Sequence, residues 1–253
     1  MQKNLHRLYW LCFMIGITAC GQNVQDNINY TPSNKDAEIH LKLGVEYMRI
    51  GKNDIALNKL KNALILDSNY ADAHNAIAVL YGRLKLDDKS RQHYQKALAL
   101  KPNGSDIHNN YGQFLCKHKQ WKEAEKHFLK ALDNPVYRNP EIPLTNAGLC
   151  LRGKDSTKAE DYLRKALQKN SKFPRALYQM ADLSFEKGHY PQAQRYLQRY
   201  MEIAKHTPET LWLGTRIERA LNNKTAAANY MLLLRRDFPD VSETQLLNQS
   251  ERR

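Results

Sequence analysis

The sequence predicts an all-α chain, a right-handed superhelix of about six helix-turn-helix repeats, and three observations carry the prediction. Residues of the same kind recur at a spacing of 34, small residues stand at two fixed offsets in each copy, and strand-type alternation is sparse. Gly44, Tyr47, Leu60 and Ala63 answer to Ala78, Tyr81, Tyr94 and Ala97. Gly112, Leu115, Ala124, Phe128 and Ala131 continue the register without a slip. A small residue in each of two consecutive apolar-periodic segments lets two helices, A and B, approach closely. One such pair cannot bury its own apolar stripe, so neighbouring pairs must stack.

Taken in order, repeat one spans 37–70 and turns at Gly51-Lys52, and repeat two spans 71–104 and closes near Pro102. Repeat three spans 105–138, with Trp121 early in its helix B. One residue is then inserted within 134–140, where Pro135 and Pro140 interrupt helical hydrogen bonding and lengthen the connection. Repeat four spans 140–173 with Ala147, Ala159, Leu163 and Ala166, and repeat five spans 174–207 with Ala181, Gly188 and Ala193. Repeat six, 208–241, is the loosest copy and is expected to close the array; 242–253 reads as a polar tail that frays. Period and offsets together resemble the tetratricopeptide repeat, a linear array of antiparallel helix pairs.

The first residues differ from everything after them. Lys3, His6 and Arg7 precede an apolar run from Leu8 to Ile17, too short to span a bilayer, and 1–19 therefore reads as an export signal. Ile17-Thr18-Ala19-Cys20, followed by Gly21, resembles the lipobox of bacterial lipoproteins, which makes Cys20 the acylated first residue of the mature chain. The alternative is an ordinary cleaved signal with an incidental cysteine. Gly21 stands where an aspartate commonly marks inner-membrane retention in that class, so the resemblance implies outer-membrane sorting, with the chain anchored in the inner leaflet and facing the periplasm. Residues 20–36 hold little to bury and read as the acylated cysteine and a flexible tether reaching roughly 20 Å.

A net charge of +13 falls to +11 once Lys3 and Arg7 leave with the signal. Nucleic acid is not the expected partner of an exported chain, and most Lys and Arg fall on outward helix faces, where a solvated surface explains them. Cys12 leaves with the signal, so Cys116 and Cys150 remain, near the ends of consecutive A helices. In an oxidising compartment they form a disulfide if the Cα separation permits; the other reading is two buried thiols acting as apolar fillers. His40, His74 and His108 recur at the same repeat position and are expected as rings packing between helices A and B. No pair of Cys or His has short ligand spacing, and there is no nucleophile motif, phosphate-cradling loop or evident carboxylate pair, so no metal, cofactor, small-molecule substrate or catalysis is expected.

The concave face of such an array is formed mainly by helix A. Its expected lining is Leu41, Val45 and Met48, then Asn75 and Val79, Asn109 and Gln113, Leu144 and Leu151, Tyr178 and Phe185, and Trp212. Apolar side chains mixed with amides suit an extended or helical protein segment, with Phe185 and Trp212 the aromatic anchors by type. Leu41 and Val45 stand where chaperone-gripping arrays need a basic and amide clamp, which disfavours that role.

A closer resemblance rests on Asn109-Asn110-Tyr111-Gly112-Gln113-Phe114-Leu115-Cys116, on Asn134-Pro135-Val136-Tyr137, on Asn146-Ala147-Gly148-Leu149-Cys150 and on Leu211-Trp212-Leu213-Gly214-Thr215-Arg216-Ile217-Glu218-Arg219. These segments are similar to the PilF/PilW family across nearly the whole mature chain. The resemblance implies a type IV pilus biogenesis and stability lipoprotein, and for some members a pilotin that binds the secretin and promotes its outer-membrane insertion and multimerisation. Other readings are a periplasmic scaffold recruiting cell-wall enzymes or other envelope complexes, and an enzyme.

Overall fold

The computed structural model describes residues 34–251. Within them the chain is thirteen α-helices and no strand, arranged as consecutive antiparallel hairpins. The pairs are α1 (Lys35–Arg49) with α2 (Asn53–Leu66), α3 (Ala71–Arg83) with α4 (Asp87–Leu100), and α5 (Ser105–Lys117) with α6 (Trp121–Lys130). They continue as α7 (Glu141–Leu151) with α8 (Ser156–Lys169), α9 (Pro174–Glu186) with α10 (Tyr190–Met201), and α11 (Pro208–Ala220) with α12 (Lys224–Asp237), followed by α13 (Ser242–Glu251). No helix among the described residues is long and apolar enough to cross a membrane.

Small residues set the distance within each hairpin. A Cβ on Gly112 would stand 2.8 Å from the Phe128 ring, and Phe128 is itself fully enclosed, so the ring of helix B lies directly on the bare backbone of helix A. In five of the six hairpin turns one residue enters the left-handed region, which stops helix A and releases helix B. Gly51 and Gly188 do so at φ +75°, whereas Lys85, Lys119 and Asn222 carry a side chain at φ near +60° in the equivalent turns. Proline opens α9 and α11 at their first turns, where its missing N–H leaves no helical bond unmade.

Stacking closes the core. One cluster runs from Ala78 and Tyr94 through Phe114, Phe128, Leu151 and Leu163 to Met180 and Tyr200, so helices of repeats two to five share a single apolar interior. The inserted connection between α6 and α7 breaks the helix but not this interior, since Leu144 and Tyr162 on its far side belong to the same cluster. Cys116 and Cys150 form a disulfide with their Cα atoms 5.7 Å apart, tying α5 to α7 across the joint beside the insertion. Replacing both with alanine removes a constraint on a loop of 34 residues. The expected cost is about 3–4 kcal/mol by the chain-entropy account, read as a lower denaturant midpoint with a slope that rises as the unfolded chain, freed of the cross-link, exposes more surface.

Two ends differ from the sequence reading. The N-terminal helix begins at Lys35, inside the expected tether, because the Asn34 side chain accepts a hydrogen bond from the Asp36 N–H and caps it. The tail from 242 is corrected from frayed polar chain to the helix α13: Leu247 is 0% exposed, packed on Leu211 and Leu234, and Thr244 Oγ1 donates to the Phe238 carbonyl. The array is closed by this extra helix, which covers the apolar face that repeat six would otherwise leave open.

Candidate functional site

The inner wall of repeats one to three encloses a cavity of about 1330 Å³. Leu41, Val45 and Met48 of α1 and Val79 of α3 supply an apolar side, Asn75 and Asn110 an amide floor, and the turn between α4 and α5 a rim from Leu100 to Gly104. The insertion supplies the far end: Tyr137 reaches back so that its hydroxyl donates to Asp106 Oδ1 at 2.8 Å, and Asn134 lines the same end. Burial together with the Asp106 carboxylate pushes the Tyr137 phenol well above its ordinary range, so it stays a neutral donor.

The floor is a chain of amides. Asn146 Nδ2 donates to Asn109 Oδ1 at 2.8 Å, Asn109 Nδ2 to Asn110 Oδ1 at 3.3 Å, and Asn110 Nδ2 to Asn75 Oδ1 at 3.3 Å, crossing α7, α5 and α3. Asn109, Asn110 and Asn75 each spend their carbonyl on a neighbour, which orients the next. The chain ends at Asn75, which lines the cavity.

Most charges around the cavity are paired. Lys101 meets Asp72 at 3.3 Å, Lys42 meets Glu38, Glu46 meets Arg49, and Arg83 Nη1 donates to the Met48 carbonyl at 3.0 Å. The three lining cations (Lys42, Arg83, Lys101) and three lining anions (Glu46, Asp72, Asp106) balance, with Arg83 and Asp106 hydrogen-bonded to neutral groups, so the site offers apolar surface and amide hydrogen bonds with no net charge. Such a surface accommodates an uncharged stretch of polypeptide, whose side chains meet the apolar wall while its backbone meets the asparagines.

Of the expected lining, Leu41, Val45, Met48, Asn75 and Val79 converge on this cavity. Asn109 is buried beneath it in the amide chain, and Gln113 lies exposed outside its lining. Leu144 and Leu151 are core residues of the central cluster. Tyr178, Phe185 and Trp212 lie in repeats five and six, apart from it. Phe185 is half-buried beneath the Arg216 guanidinium, 4.3 Å from its ring centroid, and Trp212 is half-buried against the cluster of Leu211, Leu234 and Leu247. Sequence reasoning missed Asn110, Tyr137 and the α4–α5 turn. Cys20 lies outside the described residues.

The histidines pack between A and B helices, but in pairs. His74 Nδ1 lies 3.0 Å from His93 Nδ1, and His108 Nδ1 lies 2.8 Å from His127 Nδ1. Desolvation first, and then the charge of the partner ring, hold His93 and His127 down to about 4. His40 has Lys59 at the corresponding offset, and its Nδ1 is buried without a hydrogen bond. Among the described residues no three His, Cys, Asp or Glu side chains gather as metal ligands.

Stacked helical hairpins with these offsets and an inner peptide-sized groove define a tetratricopeptide repeat protein, and tetratricopeptide repeat patterns match residues 41–105, 93–126 and 151–211. The type IV pilus assembly protein PilF of Pseudomonas aeruginosa PAO1 is 30% identical over 234 residues, 91% of this chain and 93% of PilF. The chain therefore belongs to the PilF/PilW family of type IV pilus biogenesis proteins. Crystallographic PilW, described as a widely conserved type IV pilus biogenesis factor, superposes with a TM-score of 0.76 at 32% identity, over 85% of this chain and 99% of that one. The solved P. aeruginosa PilF gives a TM-score of 0.74 at 28% identity, over 85% and 98% respectively.

Proposed function

We propose that this protein is a pilotin: an outer-membrane lipoprotein, acylated at Cys20, that binds the type IV pilus secretin in its inner groove and promotes secretin localisation and multimerisation. The observation that carries the reading is the groove itself, an apolar wall and amide floor whose lining charges sum to zero, in a chain that matches a pilus assembly protein over 91% of its length. A groove of this kind binds and releases polypeptide; its residues do no bond chemistry. Anchoring supplies the rest. Acyl chains confine the groove to the plane in which secretin subunits meet, so each captured subunit raises the effective concentration for the next encounter.

A deletion strain complemented in trans tests this directly. The native chain restores heat-resistant secretin multimers in outer-membrane fractions, and a Cys20→Ala form is expected to lower them at least tenfold while accumulating as a non-acylated protein. Full multimer levels with Cys20→Ala would remove anchoring from the scheme, and full levels in the uncomplemented deletion would remove the pilotin reading.

A further inference from the structure

The two imidazole pairs occupy equivalent places. His74 on α3 faces His93 on α4, and His108 on α5 faces His127 on α6, each partner 19 residues on. In both, the helix-A ring is tethered from behind to the turn that joins consecutive repeats: His74 Nε2 lies 3.2 Å from the Ser68 carbonyl and His108 Nε2 lies 2.8 Å from the Pro102 carbonyl. A carbonyl only accepts, so each Nε2 carries the hydrogen, and each helix-A Nδ1 must then accept from the Nδ1–H of its partner. One imidazole thus holds three elements together: its own helix, the facing helix and the inter-repeat turn. The second of these turns, Pro102 to Gly104, is the rim of the groove.

This arrangement limits how many protons each pair can carry. One extra proton can go only to the outer Nε2 of His93 or His127, leaving the Nδ1 contact intact but placing a charge on a half-buried ring. A further proton, on His74 or His108 Nδ1, sets donor against donor and parts the rings. The neighbouring charges mostly oppose uptake. Lys96 acts on the first pair, and Lys126 and Lys130 act on the second, with Asp133 alone pulling the other way. Asp67, on the turn that His74 holds, is engaged with the Asn69 N–H. The remaining faces are covered by rings, Tyr81 edge-on to His93 and Tyr111 edge-on to His127.

We infer that these pairs make the groove acid-sensitive: proton uptake favours the parted imidazole pair, so the helix-A ring and the inter-repeat turn it carries come away from helix B, the Pro102–Gly104 rim loosens and capture of an uncharged polypeptide segment weakens. The link to capture rests on the groove being the secretin site; the loosening of the turns does not. The sign follows from the direction of the shift. The closed pair favours neutral rings, so its contribution is complete above an ordinary imidazole value near 6.5 and is lost as pH falls from there toward about 4. Between pH 7 and pH 5 those two limits give roughly a twentyfold rise in the opening equilibrium per pair.

The array provides its own non-titrating replacement, since Tyr162, Tyr196 and Tyr230 stand at the His127 position in the later repeats. The test is hydrogen exchange of the full mature protein at pH 7 and pH 5, corrected for intrinsic rates. It follows the Gly104 and His108 amides, which bond to the Lys101 and Gly104 carbonyls. Native protein is expected to show the roughly twentyfold rise, and a His93→Tyr/His127→Tyr form less than threefold. His127→Gln, which retains an amide donor toward His108, serves as a second variant should tyrosine disturb the packing. A flat profile in native protein, or the same rise in both forms, overturns the inference. Solubilised secretin is then captured at both pH values. Loss of capture at pH 5 only in native protein supports the whole chain of argument. An exchange response without any secretin capture at pH 7 supports the device and defeats the groove assignment instead.

Discussion

Phe128→Ala is expected to destabilise the protein by about 3–5 kcal/mol, the range for emptying a fully enclosed aromatic site. Phe128 is 1% exposed, and its ring lies on Gly112 and within the cluster shared by repeats two to five. Neighbours cannot collapse into the space, because the backbone of α5 already lies at the closest approach the glycine allows. Each hairpin in such an array depends on its neighbours, so the loss falls on the joint between repeats two and four rather than on one helix. Thermal unfolding should drop by about 6–20 °C for a chain of this length. A change of under 2 °C would mean that the central cluster does not carry the array.

Val79→Arg is expected to reduce secretin multimers at least tenfold while leaving the fold intact. Val79 is half-buried on the apolar side of the groove, at the edge of the core clusters, so a long side chain escapes into the cavity instead of overfilling the interior. There it brings a cation into a site whose lining charges otherwise sum to zero, and a captured apolar segment offers it no counter-charge. Ile65→Arg is the control. Ile65 is 79% exposed and lies outside the cavity lining, and its replacement should change neither multimers nor stability.

Much of this was readable before any coordinates. The helical hairpins follow from the 34-residue period because a small residue at a fixed offset has one structural use here, close helix approach, and Gly112 under Phe128 shows that use directly. Five groove residues on α1 and α3 were legible for the same reason: position in the repeat decides which way a side chain points. What escaped was set by contacts across repeats. Trp212 read as an exposed anchor because nothing in Ser242–Glu251 announces a covering helix; that stretch is polar except for Leu246 and Leu247, and one buried leucine suffices to seat it. The partial cover of Phe185, Arg216, comes from the next A helix. Tyr137 lies in an irregular connection, where periodicity carries no directional information. The histidine partners were visible in principle: an offset of 19 repeats twice, and the change to Lys59 after His40 leaves that helix-A histidine without a partner ring.

The central claim is that the secretin occupies the groove between α1, α3 and α5. Photocrosslinking in intact membranes tests it most directly, with a photoreactive residue placed at Val79 in one strain and at Ile65 in another. The account predicts a secretin adduct from position 79, lost in a second strain that also carries Val45→Arg, and none from position 65. Adducts of the secretin from position 65 alone, or a different protein captured from position 79, would contradict it.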